Sequence, residues 1–136
     1  MLLEVEGLTR HFGGVAAVKE ISFKLKKSEI FALIGPNGAG KTTVFNLITG
    51  MLAPDAGSLV FEGMSLAGLK PHQIAAAGIT RTFQNLQLFG GMTVLENIMA
   101  GAHLKGRTGF LKALAAWPGS AREEKKIRQE ALALLK

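Results

Sequence analysis

The chain has 136 residues, of which 48% are hydrophobic and 19% charged, and this composition excludes a disordered or collagen-like protein. It contains no cysteine, which excludes disulfide frameworks, thiolate zinc sites and cysteine nucleophiles. The formal net charge of +6 lies mainly in the last third, because residues 1–100 carry eight basic and seven acidic side chains and residues 101–136 carry eight and three. The excess charge therefore gives no argument for nucleic-acid binding by the first two thirds of the chain.

Two kinds of apolar pattern appear at the start of the chain. Leu3, Val5 and Leu8 interleave with acidic residues, and residues 21–26 alternate apolar and polar side chains, so we predict two strands that each expose one face. Residues 30–34, Ile-Phe-Ala-Leu-Ile, are apolar throughout, which predicts a central strand covered on both faces.

Helical and strand patterns alternate through the rest of the chain. Gly78 is placed to end a helix, and Thr93 with Glu96 has the spacing of a capping box, which predicts a helix start. The alternation favours a three-layer α/β fold. The predicted elements are a helix over 41–50, a strand over 58–62, a helix over 71–77, a strand over 79–83, a helix from 94 towards 103 and a helix over 122–136.

A glycine-rich loop separates the apolar run from the first predicted helix. Residues 35–42 have the spacing Gly-x-x-x-x-Gly-Lys-Thr of a P-loop, the Walker A motif. Glycines let consecutive backbone N–H groups turn towards a phosphate, and the helix that follows adds the partial positive charge of its N-terminus. Lys41 is predicted to reach the β- and γ-phosphates, and the Thr42 hydroxyl is predicted to bind Mg²⁺. The loop therefore predicts a nucleotide site.

The motifs also resemble those of one family. Residues 35–43, Gly-Pro-Asn-Gly-Ala-Gly-Lys-Thr-Thr, resemble the P-loop of the nucleotide-binding subunits of ABC transporters at every position. Residues 81–84, Arg-Thr-Phe-Gln, stand where that family has its Q-loop, and residues 54–63 are similar to its turn and strand after the first helix. Residues 10–14 and 78–84 together most resemble the branched-chain amino acid importers. The resemblance spans essentially the whole chain and implies a P-loop NTPase-type ABC ATPase, three-layer α/β with an antiparallel β subdomain at the N-terminus.

The resemblance also implies roles for individual residues. Phe12 would stack on adenine, although a core position at a strand end is the alternative. Gln84 would sense the γ-phosphate through Mg²⁺ or the attacking water and would bind Mg²⁺ with Thr42, although a solvated loop glutamine is the alternative. Residues 86–92 would receive a coupling helix of a transmembrane partner, unless Leu88 and its neighbours are ordinary core. The phosphate-binding set would be Gly35, Pro36, Asn37, Gly38, Ala39, Gly40, Lys41, Thr42 and Thr43.

The parts that such ATPases need for hydrolysis do not occur in the sequence. They require an Asp and a Glu at the end of a second buried strand, a Leu-Ser-Gly-Gly-Gln-type signature and a later switch histidine. The single aspartate, Asp55, lies in a turn, and the histidines precede the expected switch position, so no catalytic residue is predicted. We expect the truncated N-terminal portion of one ABC ATPase domain. Residues 1–85 would hold the β subdomain, P-loop core and Q-loop, and residues 86–136 would begin the helical subdomain.

The implied function is that of an ATP-binding subunit of an ABC importer, with ATP and Mg²⁺ as cofactors and branched-chain amino acids as the transported solute. The implied partners are transmembrane permease subunits, a second ATPase subunit arranged head-to-tail and, indirectly, a periplasmic or extracellular solute-binding protein, but no nucleic acid. The sequence has no basic leader and no uncharged apolar run of about 18–20 residues, so we expect a cytoplasmic protein, peripheral on the inner face of the plasma membrane. The alternatives are a nucleotide-binding fragment without turnover and a non-transport P-loop ATPase.

Overall fold

The computed structural model describes residues 1–82, 88–101 and 118–135 of the chain. The chain forms two compact units, Met1–Thr82 and Phe83–Lys136. The assignment of residues 1–85 and 86–136 to two subdomains of an ATPase stays a prediction.

The first unit is built on a four-stranded antiparallel sheet with the strand order β2-β1-β3-β4. The two predicted N-terminal strands are confirmed but are longer than the apolar alternation suggests. They continue past Leu8 because β1 pairs with β2 up to a tight turn at Gly13, and irregular register around residues 5–11 absorbs the break in alternation. The strands are β1 (Leu3–Phe12), β2 (Val15–Leu25), β3 (Ala56–Phe61) and β4 (Met64–Ser65).

Two helices of the first unit match their predictions. The first helix, α1 (Lys41–Ile48), buries Val44 and Leu47, and the second, α2 (Pro71–Ala77), buries Ile74. Proline suits the first position of α2 because its missing N–H would have no helical acceptor there. These side chains join Val5 and other residues of the sheet in one core.

The predicted central strand over residues 30–34 is wrong. The segment forms no strand, and Ile30 is 100% and Ile34 89% exposed, although Phe31 stacks on Phe23 with ring centroids 4.9 Å apart. A strand needs hydrogen-bonding neighbours, and in the described part of the chain the only sheet is the antiparallel one, which this segment does not join. For the same reason residues 79–82 form no strand, and residue 83 of that prediction lies outside the described residues.

The second unit contains α3 (Val94–Gly101) and α4 (Pro118–Leu134), which pack against each other. The predicted start of α3 is confirmed, because Thr93 donates its N–H to the Glu96 carboxylate at 2.7 Å and Glu96 donates its N–H to the Thr93 hydroxyl at 3.3 Å. Helix α4 begins before the predicted residue 122 and buries Ala131 as expected. Leu134 and Leu135, predicted on the same face, are exposed. Over residues 1–82, 88–101 and 118–135, no helix is both long and apolar enough to cross a bilayer.

Candidate functional site

The P-loop residues form an exposed turn that leads directly into α1. Gly38 and Gly40 have φ angles of +85° and +80°, and Ala39 donates its N–H to the carbonyl oxygen of Pro36 at 3.2 Å. A Cβ on Gly40 would lie 2.2 Å from the carbonyl oxygen of Ala17. Only glycine fits there, because it accepts the left-handed conformation and leaves room for strand β2 to contact the loop.

Lys41, the first residue of α1, folds back over the start of this loop. Its Nζ donates hydrogen bonds to the carbonyl oxygens of Gly35 and Pro36, each at 2.6 Å. Neither acceptor is a carboxylate, so the ammonium charge is not neutralised by these contacts. The side chain therefore brings a positive charge to the exposed loop.

The first turn of α1 adds backbone donors beside this charge. The first helical hydrogen bond runs from Val44 N–H to Gly40 carbonyl oxygen at 2.9 Å, and Gly40 provides no side-chain cap. Among the described residues, no acceptor pairs with the N–H groups of Lys41, Thr42 and Thr43. Thr42 is also exposed. Unpaired donors at a helix N-terminus next to an ammonium group suit an anion with several oxygens.

Phe12, the residue predicted to stack on adenine, lies at the end of β1. Its side chain is 48% exposed, which rules out the core position that was the alternative. The Arg10 guanidinium lies over its ring, with Cζ 5.2 Å from the ring centroid. Phe12 pairs with Val15 across the hairpin, and Ala17, two residues further along β2, is the residue that approaches Gly40 of the P-loop. The exposed ring and the P-loop therefore border the same end of the sheet.

Asp55 makes a polar network at this end of the sheet that sequence reasoning missed. Its Oδ1 accepts a hydrogen bond from Arg10 Nη1 at 2.7 Å, and its Oδ2 accepts the backbone N–H of His11 at 2.6 Å and lies 3.1 Å from His11 Nδ1. The His11 amide hydrogen bond, followed by those of the His11 ring and the Arg10 charge, lowers the pKa of Asp55, although burial opposes the shift. The sequence signal is only a Pro-Asp-Ala-Gly turn, because the partners lie 44 and 45 residues away.

The first residue of the predicted Q-loop segment, Arg81, is tied to α1. Arg81 Nη1 donates to Asn46 Oδ1 at 2.6 Å, and the Arg81 guanidinium lies 5.8 Å from the centroid of the Phe45 ring. These contacts hold residue 81 against the helix that begins at the P-loop. Gln84 itself, the predicted Mg²⁺ and γ-phosphate residue, lies outside the described residues.

Residues 88–93, which precede α3, form an exposed loop held by one side chain of that helix. Leu88 is 71% and Phe89 60% exposed, so they are not core residues; residues 86 and 87 of the predicted partner segment lie outside the described residues. Asn97 Oδ1 accepts the Phe89 N–H at 2.9 Å. Asn97 Nδ2 lies 3.2, 3.3 and 3.0 Å from the carbonyl oxygens of Phe89, Met92 and Thr93, so two hydrogens serve three acceptors.

The described residues offer no ready-made metal centre. No group of three or more His, Asp or Glu side chains with metal-binding geometry occurs within residues 1–82, 88–101 and 118–135. His11 belongs to the Asp55 network, His72 is exposed, as expected for a surface residue, and His103 lies outside the described residues.

The sequence of the chain matches the family model described as ABC transporter over residues 18–136. It is 43% identical over 130 residues to the high-affinity branched-chain amino acid transport ATP-binding protein BraF of Pseudomonas aeruginosa. The aligned region covers 96% of this chain and 51% of BraF. It is 45% identical over 123 residues to the corresponding protein LivG of Escherichia coli K12, and the aligned region covers 90% of this chain and 48% of LivG. The chain thus spans about half the length of these curated relatives.

Solved structures agree with the sequence relatives. A nucleotide-free ATP-binding cassette from an ABC transporter has a TM-score of 0.70 and 35% identity, covering 93% of this chain and 49% of that one. The ADP conformation of the cassette MJ1267 has a TM-score of 0.69 and 35% identity, covering 84% and 45%. The predicted fold class, a P-loop ABC ATPase with an antiparallel N-terminal sheet, is confirmed. The chain belongs to the ABC transporter family.

Proposed function

We propose that the chain binds MgATP as part of the ATP-binding subunit of an ABC importer that couples ATP binding and hydrolysis to solute transport. The observation that carries the proposal is the exposed P-loop, where the Lys41 ammonium and the unpaired N–H groups at the start of α1 lie together. Branched-chain amino acids are the proposed solute, since BraF and LivG, named for that transport, are 43% and 45% identical to this chain.

The phosphates would be held by residues 35–43. The N–H groups of Lys41, Thr42 and Thr43 would donate to phosphate oxygens, because no acceptor among the described residues uses them. The Lys41 ammonium would exchange the neutral carbonyl oxygens of Gly35 and Pro36 for charged oxygens, which form stronger hydrogen bonds. This exchange favours binding of an anion.

Different residues would hold the base and the metal ion. Phe12 would stack on adenine with its exposed ring, an interaction that contributes about 0.5–1.5 kcal/mol for aromatic pairs. Mg²⁺, which neutralises charge on the phosphates when bound, would take the exposed Thr42 hydroxyl and Gln84 as protein ligands. Its remaining ligands would be phosphate oxygens and water.

The residues of this chain bind nucleotide, and we assign hydrolysis to the intact protein. The sequence has neither the Asp-Glu pair after a buried strand nor the signature motif that the family uses. We propose transmembrane permease subunits as partners at residues 86–92, of which the described residues 88–92 are exposed, and a second ATPase subunit opposite the exposed P-loop. The protein would lie on the cytoplasmic face of the plasma membrane, in contact with a solute-binding protein only through the permease.

The test is calorimetric titration of the purified chain with MgATP. We expect Lys41→Ala to weaken binding about tenfold or more, because a hydrogen bond to a charged group contributes about 1.5–3 kcal/mol. The matched control is Lys27→Ala, which removes a lysine of the same unit that forms an ion pair with Glu62 at 2.6 Å and should leave binding unchanged. Equal affinity of wild type and Lys41→Ala, or no binding by the wild type, would contradict the proposal.

A further inference from the structure

We propose that Asp55 and Arg10 are positioning residues for the nucleotide base. They hold the end of the β1–β2 hairpin so that one face of the Phe12 ring is backed by protein and the other is presented to the ligand. The inference deepens the proposed nucleotide function and rests on it.

The first step concerns the backbone at the end of β1. Pairing between β1 and β3 ends at Thr9, which lies opposite Ala56, so the residues after Thr9 have a strand neighbour only on the β2 side. Asp55 precedes Ala56 and provides the next hydrogen bonds to β1 after the β1–β3 pairing ends. Its N–H donates to the Thr9 carbonyl oxygen at 2.9 Å, and its carboxylate accepts the His11 N–H at 2.6 Å. One residue, through its backbone N–H and its carboxylate, thus extends the pairing of β1 to the residue before Phe12.

The second step concerns the ring itself. Arg10 is held from two directions, since its Nη1 donates to the Asp55 carboxylate at 2.7 Å and to the Ala53 carbonyl oxygen at 3.1 Å. Its Nε is buried and has no hydrogen-bond acceptor among the described residues. The held guanidinium lies over the Phe12 ring with Cζ 5.2 Å from the centroid. It supports one face of the ring, so that a base would use the other.

The affinities for ligands with and without a base distinguish a positioning role of Asp55 and Arg10 from a purely structural one. A network that only stabilised the hairpin would affect every ligand of the unit equally when weakened. A network that orients Phe12 affects only ligands that carry a base, because inorganic triphosphate makes no contact with the ring. The difference between the affinities for ATP and for inorganic triphosphate therefore reports on the position of Phe12.

The experiment measures the dissociation constants of ATP and of inorganic triphosphate, both with Mg²⁺, for the full chain and its variants. We expect Asp55→Asn to weaken ATP binding about threefold to tenfold, the range that stacking contributes, and to change triphosphate binding less than about twofold. In a Phe12→Ala background, Asp55→Asn should have no further effect on ATP. The control is Glu62→Gln, which removes a carboxylate of similar exposure from the Lys27 ion pair in the same unit and should change neither affinity.

The outcomes distinguish the two levels of the proposal. If wild type binds neither ligand, or if Lys41→Ala changes neither affinity, the nucleotide function is wrong and the inference fails with it. If both ligands bind through Lys41 but Asp55→Asn weakens both equally or neither, only the positioning role is overturned. Should Asp55→Asn fail to fold by circular dichroism, Arg10→Gln keeps the bond between Asp55 and the His11 amide and is expected to give the same selective loss of ATP affinity.

Discussion

Two loops of the molecule, one in each compact unit, are each held by one side chain and each present an exposed aromatic ring. Asp55 holds the hairpin end that carries Phe12, and Asn97 holds the loop that carries Phe89. The carboxylate works across 44 and 45 residues of sequence and pairs with a cation, whereas the amide reaches residues within eight positions and is neutral. An exposed ring can thus be held by an ionisable contact or by a neutral one, and we expect the two contacts to respond differently to acid and to salt.

The largest effect on stability is expected when Asn97, which holds the loop that carries Phe89, is replaced by a charged residue. Asn97→Asp replaces the Nδ2 donor with an oxygen that faces three carbonyl oxygens, so the substitution removes hydrogen bonds and adds repulsion. We expect the free energy of unfolding to fall by about 1–3 kcal/mol, with loss of hydrogen-exchange protection at the Phe89 amide.

The matched control is Gln129→Glu, which makes the same chemical change at an exposed position of α4. It should leave both the unfolding free energy and the Phe89 amide nearly unchanged. If Asn97→Asp were as mild as this control, the amide would not be the anchor of the loop, and the comparison with Asp55 would fail.

An intermediate effect is expected from acid. The pKa of Asp55 is lowered below its ordinary value of 3.8, so the stability that it contributes is fully present above that value and is lost as the pH falls through the folded-state pKa. Glu96 behaves alike, because the Thr93 amide hydrogen bond lowers its pKa below 4.5. Exchange protection of the His11 and Thr93 amides should therefore fall in acid.

The Phe89 amide is the internal reference for the same titration. It donates to the neutral Asn97 side chain, so its protection should persist while those of the His11 and Thr93 amides decline. In Asp55→Asn the acid response of the His11 amide should disappear and that of the Thr93 amide should remain. Parallel loss at all three amides would show global unfolding and contradict the assignment of separate anchors.

The smallest effect is expected from salt. The Arg10–Asp55 ion pair is partly exposed, and an exposed pair contributes little and is screened at about 1 M salt, where the Debye length is about 3 Å. We expect a slight loss of protection at the His11 amide and none at the Phe89 amide. A larger loss of protection at the Phe89 amide than at the His11 amide would contradict the assignment of a neutral anchor to the first and an ionic one to the second.

Local patterns predicted local structure well. The confirmed predictions depend on residues within one or two turns of each other: helix α1, the proline and glycine that bound α2, and the Thr93–Glu96 cap. The role of Asp55 could not be found this way, because the pairing of β3 with β1 brings it to His11 from 44 residues away.

The apolar run at residues 30–34 shows what such patterns omit. Its apolar side chains favour burial, but a strand also needs a neighbouring strand to which its backbone can hydrogen-bond. The described sheet provides no such neighbour for residues 30–34. The stacking role of Phe12 and the Mg²⁺ role of Thr42 and Gln84 remain predictions. The structure supports the first with an exposed ring and the second with an exposed hydroxyl, and Gln84 lies outside the described residues.

The close approach of Gly40 to the carbonyl oxygen of Ala17 has a further consequence for ligand length. Because a Cβ at residue 40 would clash with that oxygen, any side chain there would push the P-loop away from strand β2, which carries one half of the hairpin. The glycine thus keeps the phosphate loop close to the hairpin, while Asp55 and Arg10 hold the ring at its tip. We expect ligands with a longer or shorter connection between base and phosphate to bind more weakly than ATP.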